Sequence, residues 1–121
     1  MSVDVIAFHD DVIRKYGGLN GIRDKNLLES SVESPKSTMF GAFLYETVYD
    51  MAAAYLYHLV QNHPFLDGNK RTGAGIALTF LQINKIKLIL KQDQYEELVL
   101  RVAQGECLQD EISEFFRKCS R

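Results

Sequence analysis

The 121-residue sequence has no tryptophan and only two cysteines, Cys107 and Cys119, which stand twelve positions apart. Zinc sites and redox motifs use cysteines that are much closer in sequence. If both cysteines lie on one helix, a rise of about 1.5 Å per residue separates them by roughly 18 Å, beyond the reach of a disulfide. We therefore expect two packing or surface thiols, without a disulfide or a zinc site.

The sequence also lacks a long apolar run and an excess of charge of one sign. Its longest nearly apolar stretch, residues 51–60, is interrupted by His58 and is much shorter than the roughly 20 residues of a membrane-spanning helix. The first residues have neither the basic nor the apolar region of a secretory signal. With 14 basic and 16 acidic side chains the net charge is −2, which provides no field for direct binding of nucleic acid. We expect a cytoplasmic protein that binds neither membranes nor nucleic acid.

The composition is that of an ordinary globular domain, with 46% apolar and 25% charged residues. A chain of this length buries roughly two thirds of its unfolded surface, which is enough for one core. The sequence shows no internal repeat, low-complexity tract or linker. We expect a single domain over residues 1–121.

Apolar residues recur with helical spacing along most of the chain, which predicts an all-α fold. The most regular pattern runs from Val48 to Val60 and predicts a central buried helix that ends before Pro64. Two segments do not fit: residues 35–44 look irregular or strand-like, and residues 85–90 alternate like a short edge strand. The six predicted helices cover residues 3–16, a short stretch from Asp24 to Pro35, 48 to before Pro64, 69–84, Asp93 to Gly105, and 108–118.

Turn and capping residues delimit several of these helices. Gly17 and Gly18 can end the first helix, because glycine adopts the left-handed cap conformation at little cost. Asp24 is a suitable N-cap for the second helix, which Pro35 terminates. Asp93 and Glu96 form a variant of the capping box at the start of the fifth helix.

The densest polar segment, residues 63–72, joins the two most apolar helices. His63 follows the end of one helix, and Gly68, Asn69, Lys70 and Arg71 lie at the start of the next. The first turn of a helix has unpaired N–H groups and the positive end of the helix dipole, which together bind anions. Glycine also lets the backbone approach a ligand closely. The segment can therefore hold a phosphate chain.

Two further residues of this segment suit phosphate chemistry. Asp67 can bind Mg²⁺ while phosphate oxygens supply other ligands. The imidazole of His63 can accept a proton from an attacking hydroxyl near neutral pH. A base, a metal ligand and an anion site together favour phosphoryl or nucleotidyl transfer. We expect Phe65 to be structural, anchoring the loop in the core.

Each of these residues alone has an ordinary explanation, since a histidine after a helix is commonly a capping residue and Asp-Gly-Asn is commonly a turn. Their joint occurrence between two buried helices favours a site. His9 and His58 lie within helices and are interpreted as packing residues. The sequence has no P-loop motif, and Gly73-Ala-Gly75 is not a dinucleotide fingerprint because Leu78 replaces its third glycine.

The residues from His63 to Arg71 read His-Pro-Phe-Leu-Asp-Gly-Asn-Lys-Arg and resemble the signature of the Fic/Doc family, His-x-Phe-x-Asp/Glu/Asn-Gly/Ala-Asn-Gly/Lys-Arg. With lysine at position 70, the segment resembles the death-on-curing (Doc) branch of toxin–antitoxin toxins. Three earlier segments also resemble this branch: His9-Asp10, Tyr16-Gly17-Gly18-Leu19 and Gly21-x-Arg-Asp24.

This resemblance implies a compact helical domain with His63 as base and Asp67 on Mg²⁺. Gly68, Asn69, Lys70 and Arg71 would hold the phosphates of ATP. Most Fic proteins transfer AMP, but Lys70 replaces a glycine and Ala74 stands where a second arginine usually follows. In Doc the same lysine accompanies an inverted nucleotide pose, which implies a protein kinase acting on a threonine of elongation factor Tu. AMP transfer to a protein hydroxyl and a non-catalytic module that blocks translation are the alternatives.

The resemblance also implies how the activity is restrained. The chain lacks the Ser/Thr-x-x-x-Glu-Gly/Asn motif by which some Fic proteins inhibit themselves, so we expect a separate antitoxin that covers the active site. Residues 35–44 occupy the place of the family's target-positioning flap. Met39 and Phe40 would either dock a partner chain by strand addition or simply cover the core.

Overall fold

The computed structural model describes residues 4–39 and 41–121. These residues form six α-helices and one two-stranded hairpin, which confirms the all-α prediction. The elements are α1 (Val5–Tyr16), α2 (Lys25–Glu33) with a 3₁₀ turn (Ser34–Lys36), β1 (Thr38–Met39), β2 (Ala42–Phe43), α3 (Val48–Asn62), α4 (Asn69–Ile83), α5 (Gln92–Ala103) and α6 (Gln109–Cys119).

Helix α3 lies at the centre of the molecule and contacts α2, α4, α5 and α6, while α1 packs on α4. Its residues Ala52–Leu56, Leu59 and Val60 are all buried, as the predicted pattern requires. Helix α4 contributes Ile76, Ala77 and Leu81, which have no exposed surface. The central position of α3 and α4 fixes the connection between them, residues 63–68, at one end of the core.

Most predicted helix ends are confirmed by their caps. The carboxylate of Asp24 accepts a hydrogen bond from the backbone N–H of Leu27 at 3.0 Å. Gly17 ends α1 with φ 85°, and its N–H donates to the carbonyl of Ile13. Helix α3 ends at Asn62, two residues before Pro64. The first helix begins at Val5 after the N-cap Asp4, and its predicted start at residue 3 lies outside the described residues.

Three predictions about local structure need correction. The segment 85–90 forms no strand and makes a single antiparallel bridge between Leu88 and Ser120, because only the last residues of the chain reach it. Asp93 does not cap α5, since the helix already begins at Gln92 and the Asp93 carboxylate accepts from the neighbouring N–H of Gln94. The α-helical part of α2 ends at Glu33, and Pro35 does not stop the chain from continuing in a 3₁₀ turn, in which Pro35 is buried.

Residues 35–44 contain a hairpin in which Thr38 pairs with Phe43 and Met39 with Ala42. Gly41 in its turn has φ 81°, a conformation that glycine adopts without strain. The strand-like prediction for this segment is thus confirmed. The predicted role of Phe40 as a docking residue falls outside the described residues.

Both cysteines are free thiols, Cys107 buried and Cys119 half-buried, as the sequence predicts. Burial raises the pKa of both thiols, which keeps them protonated. Among the described helices, none has both the length and the apolar composition to cross a membrane.

The first prediction concerns the close approach of α3 and α4 at Gly73. A Cβ atom there would lie 2.9 Å from Cγ2 of Val60 and 3.4 Å from the backbone oxygen of Leu56. We expect Gly73→Ala to lower the free energy of unfolding by about 1 kcal/mol, because the cost of overpacking exceeds the gain in helix propensity. Urea denaturation measures the change. The exposed helical substitution Ser30→Ala is the control, and a Gly73→Ala variant as stable as this control would contradict the packing.

The second prediction concerns pH and His58, a half-buried residue of α3 whose Nε2 lies 3.5 Å from the side-chain amide of Gln109. Burial lowers the pKa of His58 below its ordinary 6.5. The unfolded chain therefore binds this proton more readily, so the stabilisation is complete above pH 6.5 and is lost as the pH falls through the folded-state pKa. We expect the wild type to lose more stability than His58→Gln between pH 7.5 and 5. Parallel pH dependences of the two proteins would refute this.

Candidate active site

His63 ends α3 in the left-handed conformation, with φ 47° and ψ 55°, and its side chain is exposed. A non-glycine residue in this region carries a conformational cost that its surroundings must offset. Arg23 supplies the offset: its Nε donates to the carbonyl of His63 at 2.6 Å and its Nη2 to the carbonyl of Asn62 at 2.8 Å. A guanidinium at the negative end of the helix dipole adds favourable electrostatics. The turn that presents the imidazole is thus fixed from outside α3.

The backbone of the loop pairs with the segment between α1 and α2. The carbonyl of Pro64 accepts from the N–H groups of Arg23 and Asp24 at 2.7 and 3.1 Å, and the N–H of Leu66 donates to the carbonyl of Gly21 at 3.0 Å. Ile22 and Phe65 form an antiparallel bridge. These bonds give hydrogen-bond partners to backbone groups of the loop that lie outside any helix or strand.

Phe65 anchors the loop in the core, as predicted, and is only 2% exposed. Its ring stacks on that of His9, with centroids 3.7 Å apart and an interplanar angle of 5°. The Nε2 atom of His9 lies 2.7 Å from the carbonyl oxygen of Asp67. Because a carbonyl oxygen only accepts, this nitrogen must carry a proton and donate it. His9 is therefore the hydrogen-bonded packing residue that the sequence predicts, and it contacts both Phe65 and the backbone of Asp67.

Asn69 closes the loop with its side chain. Its Nδ2 donates to the carbonyl of Phe65 and its Oδ1 accepts from the N–H of Phe65, both at 3.0 Å. The side-chain amide is thus engaged on the same residue that His9 stacks against. What Asn69 offers to a ligand is its backbone N–H in the first turn of α4.

The carboxylate of Asp67 is exposed and only partly used. Its Oδ1 accepts from the N–H of Gly68 at 2.8 Å, and its Oδ2 accepts from the N–H of Leu19 at 3.4 Å. A Cβ atom at Gly18 would lie 2.6 Å from Oδ2, so this position needs a glycine. The remaining lone pairs of the carboxylate are available to a hard cation. Within residues 4–39 and 41–121 no cluster of three or more metal-ligating side chains occurs, so the other ligands of a cation would be waters or the oxygens of a bound phosphate.

The N-terminus of α4 has the features of an anion site. Gly68 precedes it in the left-handed conformation, φ 78°, and no side chain caps the helix. The first-turn N–H groups and the dipole are therefore free to attract negative charge. Lys70 and Arg71 in that turn are exposed. The structure thus brings the predicted phosphate-binding residues to one helix end.

Two contributions to the site were not predicted from the sequence. The first is the clamp by Arg23, whose place in Gly21-x-Arg-Asp24 is the only sequence signal for it. The second is the ring of Tyr16, over which the guanidinium carbon of Arg71 lies 3.9 Å from the centroid. Neither contact follows from local spacing, because each joins segments about 40 or more residues apart.

Comparisons with known proteins show the family of the chain. The Fic/DOC family model matches residues 2–81, which include the whole loop and the start of α4. Toxin Doc of Mycolicibacterium smegmatis is 40% identical over 100 residues, covering 81% of this chain and 77% of that protein. Protein kinase doc of Escherichia phage P1 is 30% identical over 118 residues, covering 95% and 90%. The chain therefore belongs to the Fic/Doc family, in its Doc branch.

Proposed function

We propose that this chain is a Doc-type toxin that transfers the γ-phosphate of ATP to a serine or threonine hydroxyl of a translation factor, with elongation factor Tu as the target. Membership of the family and the printed name of the phage relative support a transferase. The observation that carries the proposal is that the exposed side chains of His63, which ends α3, and of Asp67 lie on one short loop that leads into the N-terminus of α4. This helix begins at Asn69 and has no side-chain cap.

The start of α4 fits a triphosphate. Its N–H groups have no side-chain cap, and each phosphate oxygen could accept from them. Gly68 lets the loop lie close to α1, because a Cβ atom there would lie 3.2 Å from Cδ1 of Ile13 and 3.6 Å from Nε2 of His9. Lys70 and Arg71 add two positive charges. Asp67 fits Mg²⁺, which binds through one or two carboxylates together with substrate phosphates.

His63 would act as the general base. ATP bound with Mg²⁺ supplies the transferable phosphoryl group and an ADP leaving group. As the target oxygen forms its bond to the γ-phosphorus and the bond to the bridging oxygen breaks, His63 accepts the hydroxyl proton. The Arg23 clamp fixes the backbone turn that carries the imidazole, so little reorganisation of the backbone is needed when the target arrives.

Lys70 supports phosphate transfer over AMP transfer. A long cationic side chain takes up room where the usual Fic pose places the diphosphate, and Ala74 provides no cation on the next turn. Both features favour the inverted pose, in which the γ-phosphate faces the target.

Restraint of the toxin would come from a separate antitoxin. The relative from Mycolicibacterium smegmatis is named a toxin, and a cell must neutralise such an activity. We infer an antitoxin segment that folds over the loop and the α4 N-terminus as it binds. The exposed, unpaired groups of that region give it a surface to cover.

The third prediction tests the reaction. Purified chain incubated with ATP, Mg²⁺ and elongation factor Tu should add one phosphate to the factor, measured by intact-protein mass spectrometry. His63→Ala should reduce the transfer rate by about 10²–10⁴-fold, the usual contribution of a general base. His58→Gln, a histidine outside the site, is the matched control and should retain activity.

The outcomes separate the alternatives. An AMP adduct on the factor would contradict the kinase assignment and establish AMP transfer. Cells that make the wild-type chain alone should stop growing, and cells that make His63→Ala should grow. Growth arrest by His63→Ala at equal protein levels would instead point to a non-catalytic module that blocks translation.

The fourth prediction concerns the metal. Asp67→Asn keeps the size of the side chain but removes its charge, so it should raise the Mg²⁺ concentration needed for half-maximal transfer. The measurement is a Mg²⁺ titration of the transfer rate at saturating ATP. Asp93→Asn is the matched control, because Asp93 also accepts from the next backbone N–H, at 2.9 Å, but lies at α5. An unchanged Mg²⁺ requirement in Asp67→Asn would exclude Asp67 as the ligand.

A further inference from the structure

The guanidinium carbon of Arg71 lies 3.9 Å from the centroid of the Tyr16 ring, well within the range of a cation–π contact. Tyr16 is the last residue of α1 and is 56% exposed. It contributes nothing to the hydrophobic core. The large aromatic ring of Tyr16 thus stays at the surface beside Arg71.

This contact holds Arg71 without using its hydrogen-bond donors. The ion pairs among the described residues join Arg14 to Asp11, Arg101 to Glu111 and Arg117 to Glu114. No described carboxylate lies within 4.0 Å of Arg71. An aromatic face attracts the cation through its quadrupole and leaves the N–H groups at the edge of the guanidinium available. Five donors in a planar fork suit the oxygens of a phosphate.

Two further cations lie on the segments that meet at the ring. The ammonium nitrogen of Lys15 lies 5.3 Å from the same centroid, and Lys70 precedes Arg71 at the start of α4. Gathering like charges is unfavourable unless an anion offsets them. The aromatic ring reduces this cost, and no described carboxylate forms an ion pair with Arg71. The arrangement favours a multiply charged anion as the ligand.

We propose that Tyr16 is a positioning residue that holds the Arg71 guanidinium toward the phosphates of ATP. The inference rests on the proposed function, because it takes ATP as the anion. Gly17 fixes the position of Tyr16 at the end of α1. Its N–H donates to the carbonyl of Ile13 at 2.8 Å, and the helix ends directly after Tyr16. The ring thus stands at the last rigid position of α1, facing the first turn of α4.

The test compares Tyr16→Phe with Tyr16→Leu in the full-length chain. Phenylalanine keeps the aromatic face, so its Kd for ATP with Mg²⁺, measured by calorimetry, should stay within about twofold of wild type. Leucine removes the quadrupole, so Kd and the KM for ATP should rise about two- to fivefold, the range expected for an exposed cation–π contact. The kcat should change little. Ile89→Ala, which truncates a side chain that is 57% exposed, is the control for loss of surface area.

A double-mutant cycle separates positioning from general structure. In an Arg71→Ala background, Tyr16→Leu should have no further effect on ATP binding, because the cation it orients is gone. Equal Kd values for wild type and Tyr16→Leu, or the same weakening in both backgrounds, would overturn this inference alone. A wild-type chain that binds no ATP would overturn the proposed function together with it.

Discussion

Phe65 is the residue on which the geometry of the site depends. Its side chain is buried and stacked on His9, and both of its backbone polar groups are bonded to the side chain of Asn69. A buried aromatic residue with its backbone satisfied in this way has a single favourable position. The residues on either side of it, from His63 to Gly68, must therefore emerge from the core at fixed points.

This constraint separates the groups that build the loop from the groups that remain free. The carbonyls of Asn62, His63, Pro64 and Asp67 are all engaged by Arg23, Asp24 or His9. The side chains of His63 and Asp67, and the first-turn N–H groups of α4, stay at the surface. The polar backbone is satisfied by other segments, so the exposed groups can be used for a ligand. A preorganised site for the proposed phosphoryl transfer requires such a division.

Much of this arrangement could be predicted from the sequence, because its boundaries are marked by residues with strong local preferences. Pro64, Gly17 and Asp24 set helix ends through backbone geometry and capping, and those ends are where the structure has them. The apolar pattern of α3 likewise predicts its central burial. The capping box at Asp93 was wrong, since Gln92 already lies in the helix and the burial of Tyr95 fixes the packing of that turn.

The contacts that position the site could not be predicted in the same way. Arg23 reaches the end of α3, His9 reaches Asp67 and Tyr16 reaches Arg71 only after α1, α3 and α4 have packed together. Sequence spacing carries no information about such distant pairs. The bridge between Leu88 and Ser120 was missed for the same reason, because the alternating pattern of residues 85–90 does not reveal its partner.

The most direct test of the central claim is a crystal structure of the chain with Mg²⁺ and a non-hydrolysable ATP analogue. We expect the triphosphate to lie against the N-terminus of α4, with its γ-phosphate nearest to the His63 imidazole and the metal on Asp67. A nucleotide whose α-phosphate is nearest to His63, or one that binds away from this helix end, would contradict it.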